Sequence, residues 1–397
     1  MTGINFDLPE EVTMIGEAVR RFAVDELRPY ERLVLEREMQ RGFTDAPLLP
    51  PDIEAQLQEK AKSLGLYGID VPEEFGGQDL GALTKCIVIE KLKHSIVPFV
   101  VAPDSPNLHL LKALCRGDQV DRYFLPYARG EKRSSLALTE PSAGSDASGI
   151  RTKAELRNGK WLLNGTKTFI SHARAADFFI VIAVTDPSKG TRGGMTAFLV
   201  DRDAKGVSIP SNYPMIGEYC PYEVVLDNVE VDEDAVLGEV GDAFTPLQRR
   251  LGVRRMEIAA RCIGFATRCI EMMIEHSQSR VTFGKPLADR QTIQWWISDS
   301  YQELEMVRLL TYRLATRLDR GDDDVRMEAS MVKVQGPEMI TRVVDRAMQT
   351  FGGMGVSKEL PLEYIYRTVR VYRIVEGPSE IHRWVIARDL LRRGLPQ

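Results

Sequence analysis

The feature that most constrains this chain is a change of hydrophobic period, made twice. Up to about residue 133 apolar residues recur at helical spacing, as in Ile15, Val19, Phe22, Ala23 and Leu27. From about 134 to 244 the pattern becomes short β-branched and aromatic runs. Phe178 to Val184, Met195 to Val200 and Tyr222 to Val231 are separated by Gly, Asn, Asp and Pro turns. From about 245 the helical period returns in four long segments, Leu247 to Gln278, Gln291 to Leu318, Val325 to Phe351 and Ser379 to Arg392. Three zones follow: an N-terminal helical domain over 1–133, a middle β-barrel or sandwich over 134–244, and a C-terminal helical bundle over 245–397.

Local signals sharpen this reading. Phe6-Asp7-Leu8-Pro9 predicts a helix start with Asp7 as the cap. Helices are predicted over Ile53 to Leu64, Leu83 to Lys93 and Leu108 to Leu114, with Pro72 to Gly77 as a loop. Asn158-Gly159 predicts a tight hairpin, because Asn-Gly adopts positive φ at little cost. Asn164-Gly165 follows it as a second turn signal, and the acids after Arg320-Gly321 break two helices.

The 397 residues carry 52 Lys and Arg against 57 Asp and Glu, a net charge of −5. A mainly electrostatic nucleic-acid binder would be basic, so that class is disfavoured. The cysteines number five and include no C-x-x-C pair, which argues against a disulfide framework or structural zinc and for a reducing cytoplasm. Cys262 and Cys269 read as small buried hydrophobes. None of the five histidines has metal-ligand spacing, so no metal site is predicted. No apolar run is long enough for a membrane span, and Met1 to Asp7 lacks the marks of a leader. Walker A, G-x-G-x-x-G and G-x-S-x-G patterns are absent.

Several loops are left as candidates for chemistry. Thr139 to Asp146 packs hydroxyls, an acid and Gly144 into a turn that can offer amides to an oxygen-rich ligand, or simply cap the junction of two zones. Arg280 to Pro286 joins a guanidinium, a hydroxyl and an aromatic ring, as an anion site or a surface helix end. Phe351 to Gly355 is a glycine cap or a place where a ligand meets bare backbone. Glu376 and Glu380 flank Gly377-Pro378 ahead of a helix, where acids usually act as caps or dipole partners. Trp295-Trp296 suits core or subunit interface.

Taken together and in order, these stretches resemble the acyl-CoA dehydrogenase family. The resemblance is carried by Leu138 to Asp146, Leu163 to Ser171, Arg280 to Lys285, Gln349 to Gly353 and Glu376-Gly377. It implies three domains (helical, β, four-helix bundle) and FAD-dependent oxidation of acyl-CoA thioesters to trans-2-enoyl-CoA. Leu138, Thr139, Gly144 and Ser145 would line the flavin, with Phe169, Ile170 and Ser171 on its ring system. Arg280, Thr282, Phe283, Gln291, Gln349, Gly352 and Gly353 would serve the cofactor of a neighbouring subunit in a homotetramer. Ser145, Arg255 and Gly377 would lie near the substrate, and Glu376 would be the base that takes the α-proton. A carboxylate in a water-poor pocket suits that task, since desolvation makes it a better proton acceptor. The resemblance also implies fatty-acid β-oxidation and an electron-transfer flavoprotein as acceptor, and it leaves an acyl-CoA oxidase or a DNA-associated, non-catalytic flavoprotein as alternatives. A medium or branched acyl group is the expectation.

Two stretches depart from the family pattern. Pro378 stands where threonine is common, and Ile216 to Tyr222 lacks the usual Gly-Met-Arg. Competing bases are few. The position some members use instead holds Arg254, which cannot accept a proton. Glu257 points elsewhere, and Glu380 is expected to tune rather than to abstract.

Overall fold

The structure, a computed structural model, describes residues 7–103, 105–322 and 324–395. The leader reading of Met1 to Phe6, and Phe6 of the first helix signal, lie outside the described residues. The first zone holds α1 (Glu10–Phe22), α2 (Glu31–Arg41), α3 (Pro51–Ser63), α4 (Gly81–Leu92), α5 (Ser105–Leu114) and α6 (Leu125–Ala128). The expected Asp7 cap is corrected. The residue ahead of α1 is Pro9, no side chain caps it, and Glu10 and Glu11 in the first turn face the positive end of the helix dipole instead.

The middle zone is one sheet of β1 (Ser134–Ala137), β2 (Lys153–Arg157), β3 (Lys160–Ile170), β4 (Phe178–Val184), β5 (Met195–Asp201), β6 (Val207–Ser208), β7 (Tyr222–Asp232) and β8 (Val236–Leu237). The order is β6-β7-β3-β2-β4-β5-β8, and β1 pairs with β4 in parallel. Asn158 (φ 52°) and Gly159 (φ 76°) turn β2 into β3, as predicted. Asn164-Gly165 makes no turn. Gly165 lies within β3 where its register with β7 shifts, and a Cβ there would stand 2.4 Å from the Thr152 hydroxyl. β4 is buried on both faces, which explains its unbroken apolar run. Phe178, Ile180 and Ile182 meet Leu111, Tyr123 and Phe124 of the helical zone. Phe179 and Val181 meet Trp161, Leu163, Phe198 and Val224, so the sheet folds over its own inner face.

The third zone holds α7 (Phe244–Ser279), α8 (Gln291–Asp319), α9 (Arg326–Phe351), α10 (Leu362–Arg370) and α11 (Ser379–Arg393), with a small hairpin, β9 (Val281–Thr282) and β10 (Lys285–Pro286), after α7. α7 packs on both α8 and α9, and α10 and α11 pack on α9. One apolar cluster runs from Val19, Phe22 and Leu92 through Ile263 and Phe265 to Ile340, Val344 and Ile365. The first and third zones are therefore separate in sequence but share a core. Cys262 and Cys269 are buried in it, as read. Trp295 stands exposed on α8, which corrects the core half of its reading and leaves it open to a subunit interface. Among the described residues no helix is long and apolar enough to cross a membrane.

Candidate active site

Glu376 sits on the short segment between α10 and α11 with φ 56°, a left-handed conformation that costs a non-glycine residue about 1–2 kcal/mol. Such a backbone persists only where its surroundings hold it. Three groups do so. Arg255 Nε on α7 donates to the Glu376 carbonyl at 3.2 Å, and His382 Nε2 on α11 reaches the same oxygen at 3.1 Å. Lys333 Nζ on α9 donates to the carbonyls of Tyr372 (2.6 Å) and Gly377 (3.1 Å). Gly377 follows at φ 94°, and a Cβ on it would approach His382 Nε2 to 2.9 Å, so this position excludes other residues. Pro378 precedes α11 as its N-cap, and Glu380 lies exposed in the first turn.

A carbonyl only accepts, so Nε2 of His382 carries the proton. Nδ1 then accepts from the Ser330 hydroxyl at 3.1 Å. Burial, and then the Arg255 charge, push the imidazole pKa down to about 4 from 6.5. The unfolded chain therefore binds a proton below pH 6.5 that the fold refuses until about pH 4. This term is fully present above pH 6.5 and is lost on acidification, by about 3 kcal/mol in all. His382→Gln should flatten the acid side of the stability curve relative to wild type, read as urea midpoints from about pH 7 to 4. An unchanged difference between the two proteins across that range would refute the buried neutral imidazole.

The carboxylate of Glu376 faces Arg250 of α7. A single nitrogen, Nη1, lies 3.4 and 3.3 Å from its two oxygens. Arg250 Nε donates to Asn107 of α5 at 3.0 Å, and Asn107 donates to the Ser134 hydroxyl at the start of β1 at 2.9 Å. The acid thus stands where all three zones meet. Further along the same face of α7, Arg254 pairs with Glu257 at 2.8 Å, which corrects the expectation that Glu257 points elsewhere, because side chains three residues apart on a helix are neighbours, and Arg261 lies 3.6 Å from Glu218. That face ends at a cavity between α4 and α7 lined by Val88, Ile89, Leu92, Phe99, Glu257 and Arg261, roughly 10 Å beyond Arg250 by helical rise.

The stretch that departs from the family pattern is built into this region. Arg41 of α2 donates to the Gly217 carbonyl at 2.8 Å, and Tyr219 packs edge-on against Tyr372. Sequence reasoning missed Arg41, Glu218, Arg250, Arg261, Lys333 and the role of His382. Arg41, Glu218, Arg250 and Arg261 act across domains, Lys333 and His382 act between separate helices of the bundle, and only the five-residue gap between Glu376 and His382 was a local signal.

The two loops read as flavin-binding are tied together by a buried ion pair. Lys167 Nζ donates to Glu140 Oε1 (2.8 Å) and to the carbonyls of Leu138 (3.1 Å) and Ile182 (2.7 Å), using all three of its hydrogens. Glu140 also accepts from the amides of Arg151 and Thr152. Burial opposes its charge, but Lys167 and these donors hold its carboxyl below the usual range. The amide of Thr168 donates to the Thr139 carbonyl at 2.8 Å, which fixes β3 beside β1. Around this anchor Gly144 and Ser145 are exposed, and nothing lies within 4 Å of a Cβ built on Gly144. Phe169, at φ 56°, is 54% exposed and stacks on Tyr213 at 4.7 Å. Ile170 is turned into the β core, so it can offer a ligand only backbone, and the Ser171 carbonyl accepts from Ser135. An open glycine cradle beside an exposed aromatic ring fits a flavin.

The remaining predicted residues gather elsewhere. Arg280 ends α7, Thr282 and Phe283 form the hairpin, Gln291 opens α8, and Gln349, Gly352 and Gly353 close α9. His276 stacks on Phe351 at 4.0 Å, and Arg290 donates to the Thr282 carbonyl at 2.7 Å, so these ends lie together. Phe283 is 99% exposed and Gly352 and Gly353 border open space. From Arg255 to Ser279 the helix runs about 36 Å, so this cluster is at the far end of the bundle from Glu376. Arg280 and Glu376 therefore stand toward opposite ends of α7.

Comparison with known proteins gives this architecture a class. The chain matches the acyl-CoA dehydrogenase N-terminal domain over 9–131, the middle domain over 135–229 and the C-terminal domain over 242–391. It belongs to the acyl-CoA dehydrogenase family, flavin-dependent oxidoreductases that carry FAD. Within that family it is 48% identical to the (R)-benzylsuccinyl-CoA dehydrogenase of Thauera aromatica, over 98% of each chain. It is 34% identical to the caffeyl-CoA reductase–Etf complex subunit CarC of Acetobacterium woodii, over 92% of this chain and 98% of that one. The butyryl-CoA dehydrogenase of Megasphaera elsdenii superposes with a TM-score of 0.87 at 29% identity, covering 98% of this chain and all of the other.

Proposed function

We propose that this protein dehydrogenates an aryl-bearing acyl-CoA thioester between its α- and β-carbons, with Glu376 as the base. The observation that carries the proposal is the Glu376 carboxylate, held on a clamped, strained backbone at the junction of the three zones. Glu376 takes the α-hydrogen as a proton, and the β-hydrogen leaves with its electron pair as the double bond forms. FAD, when bound, supplies the two-electron acceptor. Thr139, Gly144, Ser145 and the backbone of Phe169 to Ser171 would hold its ring end. The clamp from Arg255, His382 and Lys333 keeps the base from relaxing to right-handed backbone, so its aim is set before substrate arrives.

The substrate named for the Thauera relative favours an aromatic acyl group over the medium or branched fatty acyl group expected from sequence. The Acetobacterium relative is named for an Etf complex, which supports an electron-transfer flavoprotein as partner here. It is also named a reductase, and the same residues serve the reverse reaction when reduced partner is supplied. A panel of CoA thioesters, followed anaerobically by flavin bleaching, tests the proposal. Aryl-bearing thioesters are expected to bleach fastest, and bleaching by none of them would refute it.

The distance between the two clusters supports an assembly in which Arg280, Gln349, Gly352 and Gly353 complete the cofactor site of a second copy. Arg280→Ala is expected to weaken FAD binding roughly 10–150-fold, the worth of one hydrogen bond to a charged group, with the assembly intact. Equilibrium dialysis beside sedimentation measures both. Unchanged affinity would remove Arg280 from the cofactor site.

A further inference from the structure

The surroundings of Glu376 hold more positive charge than one base requires. Arg250 faces its carboxylate, Arg255 and Lys333 hold its backbone, and Arg326 lies close enough to act on Arg255. Among the described residues, Glu376 acts on Arg255, and Glu376 and Glu380 act on Lys333. These cations are not equivalent. Lys333 and the Nε of Arg255 are committed to carbonyls, and Arg254 is paired with Glu257. Arg250 is the cation whose charge is directed at the reacting carboxylate, and its contact is loose. The same nitrogen sits 3.3–3.4 Å from both oxygens, where a charge-assisted bond closes to about 2.7–2.9 Å. The Arg250 side chain is only 9% exposed and its Nε is fixed by Asn107, so the guanidinium is oriented before anything binds.

We infer that Arg250 is the receptor for a free carboxylate on the acyl group, so that the substrate is the monothioester of an aryl-substituted succinic-type diacid. This rests on the dehydrogenase reading above. In a succinyl thioester the free carboxylate is two bonds from the α-carbon. When the substrate is seated with its α-hydrogen beside Glu376 and the proton has not yet moved, the two carboxylates are neighbours, and like charges at that distance in a poorly hydrated site exclude each other. A guanidinium between them removes the conflict. Sharing the guanidinium with the substrate also weakens its hold on Glu376, and a carboxylate partly relieved of its counter-ion is a stronger proton acceptor. A neutral acyl group would leave Arg250 on the base and gain neither effect.

The test compares benzylsuccinyl-CoA with the analogue in which methyl replaces the free carboxylate, on the FAD-loaded enzyme. Wild type is expected to favour the acid by roughly 10–150-fold or more in kcat/KM. Arg250→Gln is expected to bring that ratio near one, and Arg250→Lys to restore part of it by keeping the charge. Both thioesters carry the same CoA, so a cation that served only the CoA phosphates would leave the ratio unchanged in the variants, and that result overturns the inference. Equal turnover of the two thioesters by wild type overturns it without need of a variant that folds, and leaves the dehydrogenase reading standing. Flavin that neither thioester nor any other acyl-CoA bleaches overturns both.

Discussion

Replacing Glu376 by glutamine is expected to leave a folded, yellow protein that binds acyl-CoA and dehydrogenates it roughly 10²–10⁴-fold more slowly, or worse. Glutamine keeps the length of the side chain and its contact with Arg250 but cannot accept the α-proton. The left-handed backbone is held through the carbonyl by Arg255 and His382, and neither bond involves the carboxylate. The change therefore separates chemistry from architecture. Glu380→Gln, on the exposed first turn of α11, is expected to keep most turnover. Steady-state rates with an electron-transfer flavoprotein decide between them. An active Glu376→Gln beside an inactive Glu380→Gln would move the base.

The largest stability effect is expected at a residue that touches no substrate. Lys167→Met leaves the Glu140 carboxylate buried in the β domain without its cation, and breaking a buried pair from one side costs about 3–5 kcal/mol. The loss falls on the anchor between β1 and β3, so FAD retention should fall with it. Adding Glu140→Leu removes the stranded charge and should recover part of the stability, but the Arg151 and Thr152 amides then lose their acceptor. Urea unfolding of both variants measures this. A Lys167→Met protein as stable as wild type would show that the pair does not hold the loops.

Much of this fold was open to reading from one sequence because its signals are local. The period change at β1 and at α7, the Asn158-Gly159 hairpin and the doubly buried run of β4 each follow from neighbours in the chain. Asn164-Gly165 misled because the same dipeptide that turns a hairpin also permits close backbone approach, and only the Thr152 contact decides which. α2 carries few apolar residues. It is held by Arg41 on the Gly217 carbonyl and by Glu38 with Arg367, partners more than 170 residues away. The site divides in the same way. Glu376, Phe169 and Gly144 stand in recognisable stretches, whereas Arg250, Lys333 and Glu218 are charged residues on helices or loops that read as surface. Arg250 and Glu218 are buried by packing between zones and Lys333 by packing between helices of the bundle, which no spacing along the chain reveals. Ile170 shows the converse: its motif was recognisable, but strand alternation turns its side chain into the β core.

The most direct test of the central claim is a single anaerobic turnover of the FAD-loaded protein with an aryl-bearing succinyl thioester, following the flavin's visible band in wild type and in Glu376→Gln. Wild type should bleach within one turnover and yield the enoyl thioester, while Glu376→Gln should bind the ligand and keep its colour. Bleaching of Glu376→Gln at the wild-type rate, or a wild type that binds the thioester and stays yellow, would contradict the account.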